Sequence, residues 1–328
     1  MYKRLSLILI GLTACCCAWC QPLSDQARVS LLTCQPGQEL YSRYGHTAFR
    51  ISDPANDLDV IFNYGVFSFD TDNFYWKFVK GETYYELGID NTDTFLWAYA
   101  FNRRAIYEQI LNLTTEQKQR LFDALRLNYQ PENRAYLYNF VFDNCATRAF
   151  NMLQNALGEE LQSDYVGRVG QPYRQVLSHY TGKYSWEDFG INLLFGKRAD
   201  QPMESADRLF LPEELMNYVS HATFADGTPL VQRESIMAFP TRKTPWYDDC
   251  RLGLVAYALL IIGLSLYDRR RKKLTWWVDL IVGVVYACLL GIVIFLTFFS
   301  LHPLVGFSWR LLIIPVIHLC ARLIYILR

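Results

Sequence analysis

The sequence predicts an α+β soluble domain followed by a membrane-embedded helical segment, on three observations. Short aromatic and β-branched runs separated by turn residues fill 28–89, and helical periodicity takes over at 115 and again at 145. After about residue 250 the chain becomes a series of apolar spans. Between the first two spans lies a dense basic cluster, Asp268-Arg269-Arg270-Arg271-Lys272-Lys273, of the kind that marks a cytoplasmic loop.

Residues 1–20 have the form of a secretory signal. Lys3 and Arg4 form a basic start, 5–14 are mostly apolar, and small residues with cysteines continue to Cys20. Leu12-Thr13-Ala14-Cys15 also fits a lipoprotein-type cleavage site, so cleavage and lipidation both stay open. Residues 21–248 are then the exported domain. Within it, 28–34 is a first strand, followed by the turn-like Gln35-Pro36-Gly37. Residues 47–51 and 58–64 are two strands joined by a turn at Asp53-Pro54, most simply a hairpin. Residues 74–80 and 84–89 suggest further strands with a turn at Gly81. Tyr75, Trp76, Phe78, Tyr84 and Tyr85 in this region are assigned mainly to core or sheet packing. Residues 92–99 fit a short strand or a helix equally.

Thr115 is the expected cap of an amphipathic helix with Leu121, Phe122, Leu125 and Leu127 on one side, broken at Gln130-Pro131. An extended-looking aromatic run from Tyr138 then enters Asp143-Asn144-Cys145. A helix follows, with Ala149, Met152, Leu153 and Leu157 at helical spacing and Gly158 as its stop. Residues 159–248 are less regular, with short helices at 172–174, 186–190 and 210–215 and a linker at 240–247. The membrane region, 249–328, holds three spans at about 252–267, 277–300 and 311–327. The basic cluster places 21–250 outside the cytoplasm and His302-Pro303 in a short outer loop. The expected location is therefore a bacterial inner membrane, multi-pass, with the exported domain in the periplasm.

Formal net charge is zero, so nothing points to nucleic acid as a partner. Of nine cysteines, four lie in the signal and Cys288 and Cys320 lie in spans, which leaves Cys34, Cys145 and Cys250. There is no C-x-x-C pair and no zinc-type spacing, so neither a metal site nor a cofactor is expected. A Cys34–Cys250 disulfide is open. A Cys34–Cys145 disulfide would block thiol chemistry.

Cys145 falls in the first turn of its helix, where unpaired N–H groups and the positive end of the helix dipole favour a thiolate and an oxyanion. Asp143 or Asn144 can cap that helix. His46 is the candidate base, and Asn63 or Tyr64, on the neighbouring strand, the candidate third residue that orients it. Arg148, one turn after Cys145, is placed to contact a phosphate or carboxylate, and Asn144 is a further candidate substrate contact. There is no G-x-S-x-G, Walker loop or H-E-x-x-H.

Tyr44-Gly45-His46-Thr47-Ala48-Phe49-Arg50-Ile51, together with Tyr138-x-Phe140-x-Phe142-Asp143-Asn144-Cys145-Ala146-Thr147-Arg148, resembles the Lnb family of lipoprotein N-acyltransferases of Bacteroides and relatives. Phe62-Asn63-Tyr64-Gly65, 74–81, Phe210-Leu211-Pro212 and His302-Pro303 are similar to it as well. The resemblance implies a circularly permuted NlpC/P60, papain-like periplasmic domain in which His precedes Cys, with C-terminal membrane helices. It implies Cys145 and His46 as the catalytic pair and leaves the third residue open. It also leads one to expect more membrane sequence than the stretch to Arg328. The activity it implies is acyl transfer from a membrane phospholipid, through a Cys145 thioester, to the α-amine of a diacylglyceryl lipoprotein cysteine. A thiol hydrolase of the same fold and a non-enzymatic envelope binding protein are the alternatives.

Overall fold

The computed structural model describes residues 21–67, 72–204, 207, 209–238 and 245–327; the expected signal at 1–20 lies outside the described residues. Strand β1 (Arg28–Cys34) is buried at every position after Arg28, as a strand covered on both faces must be. It pairs antiparallel with β2 (His46–Asp53), and β2 with β3 (Leu58–Val66) in the expected hairpin. Beyond β3 lie β4 (Tyr84–Asn91) and then β6 (Ala135–Leu137). On the other side of β1 lie β5 (Ile106–Leu111) and then β9 (Val231–Met237). The result is a seven-stranded antiparallel sheet, order β6-β4-β3-β2-β1-β5-β9.

Alternation along the strands gives the sheet two apolar faces. Leu31, Phe49, Phe62 and Tyr64 pack with Leu121 and Phe122 of one helix (Thr115–Tyr129) and Ala149 and Leu153 of another (Cys145–Leu157). Leu32, Cys34, Ala48 and Ile61 face the opposite way and pack with Phe95 of the helix Thr92–Phe101. Each fully buried phenylalanine contributes about 2–3 kcal/mol.

The helices, in chain order, are α1 (Phe74–Lys80), α2 (Thr92–Phe101), α3 (Thr115–Tyr129), α4 (Cys145–Leu157), α5 (Tyr173–Thr181), α6 (Trp186–Leu194), α7 (Pro212–Ser220), α8 (Cys250–Arg271), α9 (Trp276–Phe299) and α10 (Ile313–Ile326). A small second sheet pairs β7 (Leu161–Ser163) with β8 (Ala222–Phe224).

Several elements depart from expectation. Residues 74–80 are helical, because Gly81 at φ 73° turns its N–H back onto the carbonyls of Lys77 and Phe78 and closes a helix. Residues 92–99, for which strand and helix were both open, are helical: Asn91 accepts from the N–H groups of Asp93 and Thr94 at 3.0 and 3.3 Å. The cap of α3 is Thr114 rather than Thr115, in a reciprocal box with Gln117. The run from Tyr138 is a turn, since the Asn139 side chain accepts from Val141 and Phe142 at 3.1 and 3.0 Å; the strand lies just before it, as β6.

The chain forms two compact units. One holds the seven-stranded sheet and comprises the described residues up to 67, Tyr84–Gly167, and the described part of 205–240. The other comprises Asp72–Thr83, Arg168–Glu204 and the described residues from 245 onward. So α1, α5 and α6 group with the C-terminal helices, although the sequence places them before residue 249.

Among the described residues, α8 and α9 are long and apolar enough to cross a membrane. The third expected span falls on α10, whose 14 residues rise about 21 Å against about 30 Å of hydrocarbon. Polar groups tie these helices together. The Arg322 guanidinium donates to Asp268 at 2.9 Å and to Asp279 at 2.6 and 2.9 Å. His318 contacts Asp279 and Tyr257, each at 2.8 Å.

Candidate active site

Helix α4 begins at Cys145, and Asn144 is its cap. The Asn144 Oδ1 accepts from the N–H groups of Ala146 and Thr147 at 2.9 and 3.1 Å. Thr147 Oγ1 accepts from the Asn144 N–H at 2.8 Å. The other end of the Asn144 amide donates to the carbonyls of Phe140 and Phe210 at 2.7 and 2.8 Å. Asn144, expected as a substrate contact, is thus fully engaged in holding the helix start to two loops. Asp143, the alternative cap, instead pairs with Arg148.

The three most distinctive stretches of the sequence meet here. Tyr44 packs on Phe140 with ring centroids 4.7 Å apart, and Phe140 on Phe210 at 5.9 Å. Gly45, at φ 82°, lies over Pro212, and a Cβ there would stand 2.8 Å from the Cys34 carbonyl oxygen. That close approach sets where β2 begins, and therefore where His46 stands.

His46 and Cys145 are both half-buried, and their side chains are hydrogen-bonded. The His46 Nε2–H donates to Asn63 Oδ1 at 2.6 Å, which leaves Nδ1 for the thiol. Asn63 in turn donates from Nδ2 to Asp90 Oδ2 at 2.8 Å. A carboxylate accepts only, so Asp90 turns the NH2 end of Asn63 toward itself and the carbonyl end toward the imidazole. Register explains the contact: Ala48 pairs with Asn63, so His46, two residues earlier, reaches Asn63 diagonally on the same face. Tyr64, the other candidate, faces the opposite core and donates to Asn128 at 2.6 Å, away from the imidazole.

The electrostatics favour an ion pair. Burial alone pushes the Cys145 thiol up, but the His46 charge and hydrogen bond, with the N–H groups of Thr47 and Ala146, bring it below the ordinary 9.0. Burial alone pushes the His46 imidazole down, but Cys145 and the Asn63 acceptor hold it above 6.5. Cys34 is the contrast. It pairs with His46 across β1 and β2, yet burial pushes its thiol up to about 12, against a Tyr99 hydrogen bond and the Arg104 charge. Burial therefore raises the strand thiol, Cys34, while its charged and hydrogen-bonding neighbours lower the helix-start thiol, Cys145. Cys34, Cys145 and Cys250 are all free.

Arg148 binds Asp143 through two hydrogen bonds, 2.6 and 2.7 Å, and lies over the Tyr136 ring at 3.7 Å. The Tyr136 hydroxyl is buried with no hydrogen-bond partner, while the residue is 4% exposed. Burial, then the Cys145 charge, raises this phenol far above its usual range, so it stays a proton donor. Gly65 leaves a gap beside it: a Cβ there would stand 4.0 Å from the Tyr136 hydroxyl and 3.9 Å from His46 Cε1. With Ala146 and Thr147 capped by Asn144, the Cys145 N–H is the one among the first three residues of α4 that keeps no hydrogen-bond acceptor. The site thus presents a thiol and an imidazole, each shifted toward its charged form, and two donors, one backbone N–H and one phenol.

Sequence reasoning missed Asp90 and Tyr136. Asp90 acts through an amide on the next strand, and Tyr136 lies in a strand that was placed a few residues too late.

Residues 20–180 match the family described as the Lnb N-terminal periplasmic domain, and residues 252–328 match the Lnb transmembrane domain. No curated protein and no solved structure gives a match. The sheet with its capped helix α4 lies largely in the first matched stretch and the apolar helices in the second, so this is a membrane protein with a periplasmic portion. The chain belongs to the Lnb family.

Proposed function

We propose that the protein is a cysteine-dependent N-acyltransferase that moves an acyl chain from a membrane phospholipid to a diacylated lipoprotein. The observation that carries this reading is the chain of contacts Cys145–His46–Asn63–Asp90 in a membrane-embedded Lnb member. The Cys145 thiolate attacks an ester carbonyl of the phospholipid. The oxyanion takes hydrogen bonds from the Cys145 N–H and the Tyr136 hydroxyl. Collapse breaks the ester C–O bond, His46 gives its proton to the departing alkoxide, and a lysophospholipid leaves.

The acyl-thioester is then attacked by the free α-amine of a diacylglyceryl-modified cysteine. His46, now neutral, takes the amine proton, the C–S bond breaks, and the thiolate–imidazolium pair returns. No redox change occurs, and no metal or cofactor is called for. Both substrates are lipid-embedded, which suits a catalytic domain in a membrane-anchored chain.

Mass spectrometry of the N-terminal lipopeptide from an abundant lipoprotein tests this. Cells carrying Cys145→Ala should lose one amide-linked acyl chain and keep the diacylglyceryl group. Tyr136→Phe should slow the same modification by about 10²-fold, the usual effect of removing one oxyanion donor. An unchanged lipopeptide with stably expressed Cys145→Ala contradicts acyl transfer and favours a thiol hydrolase on the same residues.

A further inference from the structure

Helix α1 is seven residues long, Phe-Tyr-Trp-Lys-Phe-Val-Lys, and only Phe74 on it is buried. Tyr75 is 75% exposed, Trp76 56%, Phe78 42% and Val79 40%. Four large apolar side chains in water on so short a helix would be an aggregation hazard for a soluble domain. Of the five aromatic residues assigned mainly to core or sheet packing, only Tyr85 is buried; Tyr84, like Tyr75, Trp76 and Phe78, is exposed.

Within its unit, α1 is fixed to the end of α9. The Leu301 N–H donates to the Lys80 carbonyl at 2.7 Å, and His302 Nε2–H donates to the Phe78 carbonyl at 2.9 Å. Trp76 packs on Phe295 with centroids 5.3 Å apart. Gly81 admits this docking, since a Cβ there would stand 3.3 Å from both the His302 nitrogen and Leu301 Cβ.

The same end of the helical unit is ringed by aromatic residues. Helices α8 and α9 are joined by 272–275, with the Thr275 N–H on Asp268 at 2.9 Å, so they run antiparallel. The start of α8, the end of α9 and the approach to α10 therefore share one end. There Trp246, Tyr247, Phe299, Phe307 and Trp309 are all exposed by more than half. Trp and Tyr concentrate at the boundary between headgroups and acyl chains, where the ring is buried and its polar edge stays wet. Lys80, in the last turn of α1, is ion-paired with Glu82 at 2.5 Å, and Lys77 supplies the positive charge that pairs with lipid phosphate from such a position.

We propose that α1 is an interfacial helix whose exposed aromatic residues lie in the phospholipid headgroup layer, continuous with the lipid-facing surface of α9. The occupant of this surface is the bilayer itself. The helix is inserted between β3, which carries Asn63, and β4, which carries Asp90. This proposal needs only a membrane-embedded chain and does not depend on acyl transfer.

The test is fluorescence of the full-length protein in phospholipid vesicles. The Trp76 component is obtained as wild type minus Trp76→Phe, a substitution that keeps a ring against Phe295. Vesicles carrying bromine at acyl carbons 6 and 7 should quench that component by more than half relative to unbrominated lipid, and bromine at carbons 11 and 12 should quench it less. Equal intensity with and without bromine would overturn the proposal. Stronger quenching by the deeper bromines would overturn it too, by placing the residue in the hydrocarbon core.

Discussion

The imidazole of His46 lies between a thiol and an amide, and each neighbour favours its charged form. Cys145 is held below its ordinary 9.0 and His46 above 6.5, and both shifts favour the thiolate–imidazolium pair over the neutral pair. Reactivity is lost as pH falls through the thiol value, because the sulfur takes up a proton. Turnover is also lost as pH rises through the imidazole value, because the proton needed by the leaving group is gone. Alkylation of the Cys145 peptide, followed against pH by mass spectrometry, should have its midpoint below 9 in the wild type. In His46→Ala the burial remains and the compensating charge does not, so the midpoint should move up. Equal midpoints would exclude the pairing.

Cys145 and His46 were legible in the sequence because each sits at a local signal, a capped helix start and a Gly-His strand entry. The choice between Asn63 and Tyr64 was not legible. Adjacent strand residues face opposite sides, and a one-residue uncertainty in register exchanges them.

At the scale of elements, β1–β3, the α4 cap and its Gly158 stop follow from local pattern, since alternation, turn residues and capping chemistry agree there. Others do not. Strand β9 is almost wholly exposed at the sheet edge, so it lacks the apolar alternation that marks a half-buried strand. Helix α1 has apolar residues all round because its environment is docked helix and, on the proposal above, lipid. The Tyr138 run looks extended only because aromatic residues dominate it; the Asn139 side chain makes it a turn.

Asn144 is the residue on which this arrangement turns, since it both caps α4 and ties it to Phe140 and Phe210. Asn144→Ala should destabilise the fold by about 1–3 kcal/mol. Asn144→Asp keeps the capping oxygens and loses both donors, so it should fall between. Thermal unfolding in detergent measures both, and an unshifted Asn144→Ala would mean that the cap is dispensable.

At the scale of the molecule, the α+β domain and the apolar helices were both visible in composition. The grouping of 72–83 and 168–204 with the C-terminal helices was not. It rests on tertiary contacts such as Leu301 to Lys80, which leave no periodicity in either segment. Nor did composition reveal the ties of Arg322 to Asp268 and Asp279, because charged residues scattered among apolar helices give no local sign of their partners. Membership of the Lnb family covers both regions, and thioester-mediated acyl transfer is the reaction proposed for it.

The most direct measurement of that reaction is the covalent intermediate itself. Purified full-length protein would be incubated with phospholipid and no amine acceptor, then digested and analysed by mass spectrometry. The peptide containing Cys145 should carry one fatty acyl group, labile to neutral hydroxylamine, with an equal amount of lysophospholipid released. If lysophospholipid appears without an acyl group on Cys145, or appears equally with Cys145→Ala, the thioester mechanism is wrong.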